Sequence, residues 1–165
     1  MLNIILNLKN FQNIVVIGPQ RSGTRIASKI LACELLYEWY EEEQFYIEDY
    51  DSFSRILNVP IRKVIQAPAL THRVRDFPED TMVIMMMRNI SDIIKSQKRI
   101  NWKYEKEELS KYPAEETAAA EAKYRFWYDV KTYIKNHCEL YYHQLEEHSM
   151  FIKDRQRFEY NQTEG

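Results

Sequence analysis

The stretch IVVIGPQRSGTRIASKI, residues 14–30, constrains this chain more than any other. A β-branched apolar run, Ile14 to Ile17, passes through a short turn into an amphipathic helix. That turn holds Gly18 and Gly23, two of only three glycines in 165 residues, and the third is the terminal Gly165. Every other turn is made without glycine, so these two mark places where the backbone takes positive φ or comes very close to another group. A glycine loop between a buried strand and a helix start directs backbone N–H groups and the positive end of the helix dipole at one spot. That arrangement is a cradle for an anion.

The rest of the chain repeats the strand and helix alternation. Short runs with strand character are NIVVIG from 13, FYIED from 45, RKVIQA from 62, TMVIMMM from 81 and MFIKD from 150. Most are continuously apolar, as strands covered on both faces of a parallel sheet are. Helical periodicity covers 23–41, with Ile26, Ile30, Leu31, Leu35 and Trp39 on one side, then 51–58, 91–100 and a long stretch near 115–147. The N-terminal MLNIILNLKNFQN reads as a lead-in segment or edge strand, since Asn3, Asn7, Lys9 and Asn10 break its apolar character. Such alternation predicts βαβ units and an α/β fold: a central parallel sheet of about five strands covered by helices in three layers. A single domain over 1–165 is expected from the length. The most polar connector, residues 103–116, reads as a mobile flap or a solvated helix start.

Charge narrows the partners. A net charge of −2 offers no general attraction to nucleic acid or to an anionic membrane, so any anion site is local. No apolar run reaches the roughly 18 to 20 residues that span a bilayer. Cys33 and Cys138 suggest no disulfide framework, and a cytoplasmic, reducing location is expected. In that location the sequons at Asn89 and Asn161 carry no weight.

The loop has the glycine spacing of the phosphate-binding pattern G-x-x-x-x-G-K-[ST], but Thr24 stands at the lysine and Arg25 at the magnesium-binding hydroxyl. A kinase uses both groups against a heavily charged triphosphate. A sulfuryl donor carries less charge, so no metal is expected.

With its flanking strand and helix, GPQRSGTRI (18–26) resembles the 5′-phosphosulfate loop of the sulfotransferases that use 3′-phosphoadenosine 5′-phosphosulfate (PAPS). A second element, VIMMMRNISDIIKSQ (83–97), resembles that family's 3′-phosphate motif: a strand ending in Arg-Asn-Pro-x-Asp, with a serine eight residues beyond the arginine. Here these are Arg88, Asn89, Asp92 and Ser96, and Ile90 replaces the proline. The stretch 64–89 is similar to the family's approach to its 3′-phosphate strand, and LYYHQLEEHSMFI (140–152) to its later tyrosine-leucine segment. The likeness covers most of the chain and implies a P-loop-NTPase-like fold.

The resemblance also implies roles. Arg21, Ser22, Gly23, Thr24 and Arg25 would hold the 5′-phosphosulfate, and Arg88 and Ser96 the 3′-phosphate. Arg21 stands where the family carries a lysine beside the bridging oxygen, so it would neutralise the leaving phosphate without donating a proton. A base must take the acceptor's proton. The cytosolic branch of the family uses a histidine in a Lys-Thr-His stretch, but here that stretch reads Gln66-Ala67-Pro68. The Golgi branch, which includes the heparan sulfotransferases, uses a glutamate in a segment like EEEQFY (41–46), and Glu42 falls on it. His72 is the fallback base. A basic stripe, Lys95, Lys98, Arg99 and Lys103, lies beside the 3′-phosphate motif. The family's C-terminal Arg-Lys-Gly loop is missing, with Lys153, Arg155 and Arg157 as substitutes, and so is its adenine-stacking tryptophan.

The sequence therefore points to sulfuryl transfer from PAPS to a small-molecule or glycan acceptor bearing a hydroxyl or amine. The chain is short for this family, so its acceptor pocket is expected to be shallow or completed by a second copy in a homodimer. The alternatives are a metal-dependent P-loop kinase of small molecules and a non-catalytic nucleotide- or anion-binding protein.

Overall fold

The run that opens the glycine loop lies at the centre of a sheet. The computed structural model describes residues 2–45, 49–99 and 116–151. Helix α1 (Leu2–Leu8) precedes β1 (Asn13–Ile17), α2 (Thr24–Leu35), β2 (Glu38–Tyr40) and α3 (Tyr50–Leu57). Then come β3 (Lys63–Gln66), a 3-10 stretch (Pro68–Asp76), β4 (Met82–Met87), α4 (Ile90–Arg99), α5 (Glu116–Val130) and β5 (His137–Tyr141). The five strands form one sheet in the order β2-β3-β1-β4-β5, and every neighbouring pair is parallel.

Strand β1 shows why the sheet is covered on both sides. Ile14 and Val16 face a cluster with Ile5 and Leu8 of α1, Ile30 and Leu31 of α2, and Leu140 of β5. Val15 and Ile17 face the opposite cluster, built from Phe53 of α3, Leu70 and Val74 of the 3-10 stretch, Ile93 of α4 and Trp127 of α5. All four β1 side chains are fully buried, and each such burial is worth ~1.5–3 kcal/mol. Because both faces are apolar, alternation alone does not fix the register. Pairing on both edges does, with Ile14 opposite Val64 on one side and Met82 on the other.

Several elements differ from the sequence expectation. The lead-in segment is helical and buries Ile5 and Leu8. Helix α2 stops at Leu35 rather than 41, because Leu36 turns left-handed (φ 59°) and the N–H groups of Leu36 and Tyr37 bond back to Cys33 O and Ala32 O. That Schellman closure normally uses glycine or asparagine, so a leucine hides it. The edge strand is consequently β2, at Glu38–Tyr40, while residues 46–48 of the expected FYIED strand lie outside the described residues. The long helix ends at Val130, and HCELY forms β5, sending Leu140 into the α2-side core. Of the expected MFIKD strand, residues 150 and 151 are helical and 152–154 lie outside the described residues, as does the connector 103–115.

Candidate anion and nucleotide site

Strand order reverses at β1, which is flanked by β3 and β4, and in open parallel sheets the crevice at the strands' C-terminal ends is where ligands bind. Three chain segments converge there: the glycine loop after β1, Arg88 after β4, and Pro68 to Thr71 after β3.

The loop is held in a strained form. Gly18 (φ 142°), Arg21 (φ 71°) and Gly23 (φ 102°) all take positive φ. A Cβ on Gly18 would lie 3.0 Å from Ser22 Oγ and 3.2 Å from Met86 O, and one on Gly23 would lie 2.8 Å from Tyr142 Cδ2. Both glycines thus answer to conformation and to space. Gly18 N–H donates to Thr71 Oγ1 at 3.1 Å, Ser22 N–H to Pro19 O at 3.1 Å, and Gln97 Nε2 to Gln20 O at 3.2 Å. Lys123 Nζ donates to Gln20 Oε1 at 2.7 Å. Gly23 brings no side chain to cap α2, whose first intrahelical bond is Ala27 N–H to Gly23 O. The preceding N–H groups are therefore open to an anion.

The guanidinium groups meet at this loop. Arg21 Nε donates to Ser96 Oγ at 3.1 Å, and Arg88 Nη1 donates to Arg21 O at 2.7 Å. The Arg88 guanidinium lies over the Tyr142 ring at 3.9 Å, which covers one of its faces. The N–H of Arg88 donates to Tyr124 Oη at 2.9 Å, and that phenol is pushed up to about 12, first by burial. Burial, then the charges of Arg99 and Arg88, hold the Arg21 guanidinium below its ordinary value, while Tyr142 acts the other way. Arginine stays charged regardless. Like charges so disposed repel, and an anion among them removes the cost. Two buried polar atoms at the loop, Ser22 Oγ and Arg88 Nε, have no hydrogen-bond partner among the described residues. Such atoms are rare in native structures, and a ligand oxygen satisfies them.

The structure thus brings Arg21, Ser22, Gly23, Thr24, Arg88 and Ser96 together, with differences in detail. Thr24 Oγ1 accepts from Gln66 Nε2 at 3.3 Å, tying α2 to the end of β3. Arg25 turns outward to Glu41 at 3.3 Å and is largely exposed. Ser96 touches Arg21 rather than Arg88. Glu42 begins the 3-10 turn Glu42–Gln44 after β2, at the loop's end of the sheet but two strands from β1, roughly 10 Å to the side. Its neighbour Glu41 is the carboxylate that engages the start of α2, through Arg25. An open hollow of about 510 Å³, lined by Glu43, Gln44, Phe45, Ser52, Arg55 and Ile56, adjoins this turn. His72 follows Thr71 and is half-buried. In the basic stripe Lys95, Lys98 and Arg99 are exposed, while Lys103 lies outside the described residues together with Lys153, Arg155 and Arg157.

Sequence reasoning missed Tyr142, Lys123, Thr71 and Tyr124. Tyr142 lies in the LYYHQ segment, which helical spacing assigns to a helix, although Tyr142 follows β5. Lys123 gave one signal, a charge between Ala119, Ala120 and Trp127 on the apolar face of α5. Among the described residues no group of three or more His, Cys, Asp or Glu is placed to hold a metal, and no helix is long and apolar enough to cross a membrane.

No protein-family model matches the chain, and no curated protein does either. Among solved structures it is similar to shikimate kinase from Acinetobacter baumannii in complex with shikimate, with a TM-score of 0.54. The match covers 97% of this chain and 98% of that one at 9% sequence identity. At that identity the likeness shows the fold alone: a P-loop-NTPase-like α/β fold.

Proposed function

We propose that this protein is a sulfotransferase that uses PAPS as donor and a small-molecule or glycan hydroxyl or amine as acceptor. The observation that carries this reading is the Arg88–Arg21–Ser96 junction: the two sequence motifs that resemble PAPS-binding elements meet at one anion site. The 5′-phosphosulfate would lie over the loop and the start of α2, and the 3′-phosphate near the exposed face of Arg88.

The residues divide the reaction between them. The acceptor oxygen or nitrogen attacks sulfur, the bond between sulfur and the bridging phosphate oxygen breaks, and adenosine 3′,5′-bisphosphate leaves with the electron pair. Arg21 and the loop N–H groups stabilise charge as it develops on the leaving phosphate. Glu42 is assigned the acceptor's proton, which requires an acceptor that reaches from the loop across to the Glu42 turn.

A P-loop kinase is the second reading, favoured by the fold likeness to shikimate kinase. Against it, the position of the phosphate-binding lysine holds Thr24, bound to Gln66, and the position of the metal-binding hydroxyl holds Arg25, turned to Glu41. The adjacent β3 also ends in Gln66 rather than in an aspartate that would hold Mg²⁺. Incubation with sulfur-labelled PAPS and panels of glycans, phenols and amines tests the proposal. Labelled product without added metal is expected. Phosphoryl transfer from ATP with Mg²⁺ and no sulfuryl transfer from PAPS would establish the kinase, and a bound nucleotide without turnover the non-catalytic alternative.

A further inference from the structure

Lys123 is a buried cationic side chain at the loop that the proposed reaction leaves unused. It is fully buried on the apolar face of α5, and its Nζ donates to Gln20 Oε1 at 2.7 Å and to Pro68 O at 3.3 Å. Both acceptors belong to the walls of the anion site. Gln20 lies within the loop, and Pro68 opens the stretch whose Thr71 holds Gly18. Burying an ammonium is costly, whereas an apolar side chain of the same length fills the space without that cost, so packing does not call for lysine. The loop meanwhile lacks the ammonium that the phosphate-binding pattern places at position 24.

We propose that Lys123 supplies this charge from beneath the loop. Its ammonium fixes the Gln20 turn by a charge-assisted hydrogen bond and adds positive potential to the anion bound above. Lys123 is a positioning residue, since it reaches the loop and not the ligand. The proposal rests on the loop being the anion site of a donor nucleotide, but not on which nucleotide that is.

Calorimetric titration of the full chain, K123M and K123R with inorganic phosphate, pyrophosphate and adenosine 3′,5′-bisphosphate tests it. K123M is expected to bind the bisphosphate about tenfold more weakly or worse. Its loss for pyrophosphate exceeds its loss for phosphate, because a charge acts in proportion to the ligand's charge, and K123R recovers most of the affinity. A lysine needed only for folding would lower the melting temperature and leave the folded variants' affinities unchanged. That result, or equal losses for phosphate and pyrophosphate, overturns the proposal. Should K123M fail to fold, Gln20→Met keeps the ammonium and removes its acceptor, with a severalfold loss expected and wild-type affinity overturning the proposal. A wild-type chain that binds pyrophosphate, with the loss in K123M, but not the bisphosphate overturns the sulfotransferase reading and supports this one. A wild-type chain that binds none of the three overturns both.

Discussion

The Nε of Arg21 donates to Ser96 Oγ at 3.1 Å, joining the glycine loop to α4 across 75 positions of sequence. Removing the hydroxyl leaves a half-buried guanidinium N–H without its acceptor, and a hydrogen bond to a charged group is worth ~1.5–3 kcal/mol. Only part of that loss reaches a ligand, because Ser96 acts through Arg21. Ser96→Ala is therefore expected to weaken binding of adenosine 3′,5′-bisphosphate about three- to tenfold, measured by calorimetry. An unchanged affinity would mean that the Arg21–Ser96 contact does not shape the site.

Gly23 is pinned by φ 102° and by the Tyr142 ring. In Gly23→Ala the left-handed backbone costs ~1–2 kcal/mol and the clash with Tyr142 roughly 1–3 more. For a domain of this size the melting temperature should fall by roughly 5 to 15 °C. A double-mutant cycle with Tyr142→Ala separates the two costs, since the clash vanishes in the double variant and the backbone cost remains. Strict additivity would contradict the close contact.

Much of this was legible in the sequence, for identifiable reasons. The loop, β1, β3, β4 and the α4 motif announce themselves through continuous apolar runs and two glycines in a glycine-poor chain. The end of α2 was not legible, because a leucine takes the left-handed closing position that sequence reading assigns to glycine. Strand β5 was hidden too, because Tyr133, Ile134, His137 and Tyr141 continue a helical spacing and no glycine or proline interrupts it. At the site, Arg21, Arg88 and Ser96 could be read from motif spacing. The contacts of Tyr142 and Lys123 could not, since they depend on how β5 and α5 pack against the loop.

Glu42, the proposed base, stands beside Glu41, which pairs with Arg25. Glu42→Gln keeps the shape and removes the basicity, so turnover should fall ~10²- to 10⁴-fold while bisphosphate affinity holds. Glu41→Gln breaks only a partly exposed pair with Arg25 and should change either quantity little. Steady-state rates with an identified acceptor, beside titrations of the product nucleotide, check both. Unchanged turnover in Glu42→Gln would move the base to Glu41, Glu43 or His72.

Alkali should weaken the fold through Cys138. Burial, and then the charge of Glu139, push its thiol from 9.0 up to about 11. The folded state then holds its proton in a window where the unfolded chain has lost it. Stability from this group is complete below about pH 9 and lost as pH rises toward 11, by about 2 to 3 kcal/mol in all. Denaturant unfolding at pH 8 and pH 10.5 should show the loss, and Cys138→Ala should make it shallower, leaving the part due to the raised Tyr124 phenol. An equally steep decline in the variant would place the effect elsewhere.

Arg88, just beyond the end of β4, is proposed to complete a site for a nucleotide carrying a 3′-phosphate. Titration calorimetry of the wild-type chain and Arg88→Ala with adenosine 3′,5′-bisphosphate and adenosine 5′-phosphosulfate, without metal, tests it most directly. The wild type should prefer the bisphosphate. Arg88→Ala should lose it by about tenfold to a hundredfold, as expected for a charge-assisted hydrogen bond, and should lose far less of the 5′-phosphosulfate. Equal losses of the two ligands, or wild-type preference for ATP with Mg²⁺ over the bisphosphate, would contradict the account.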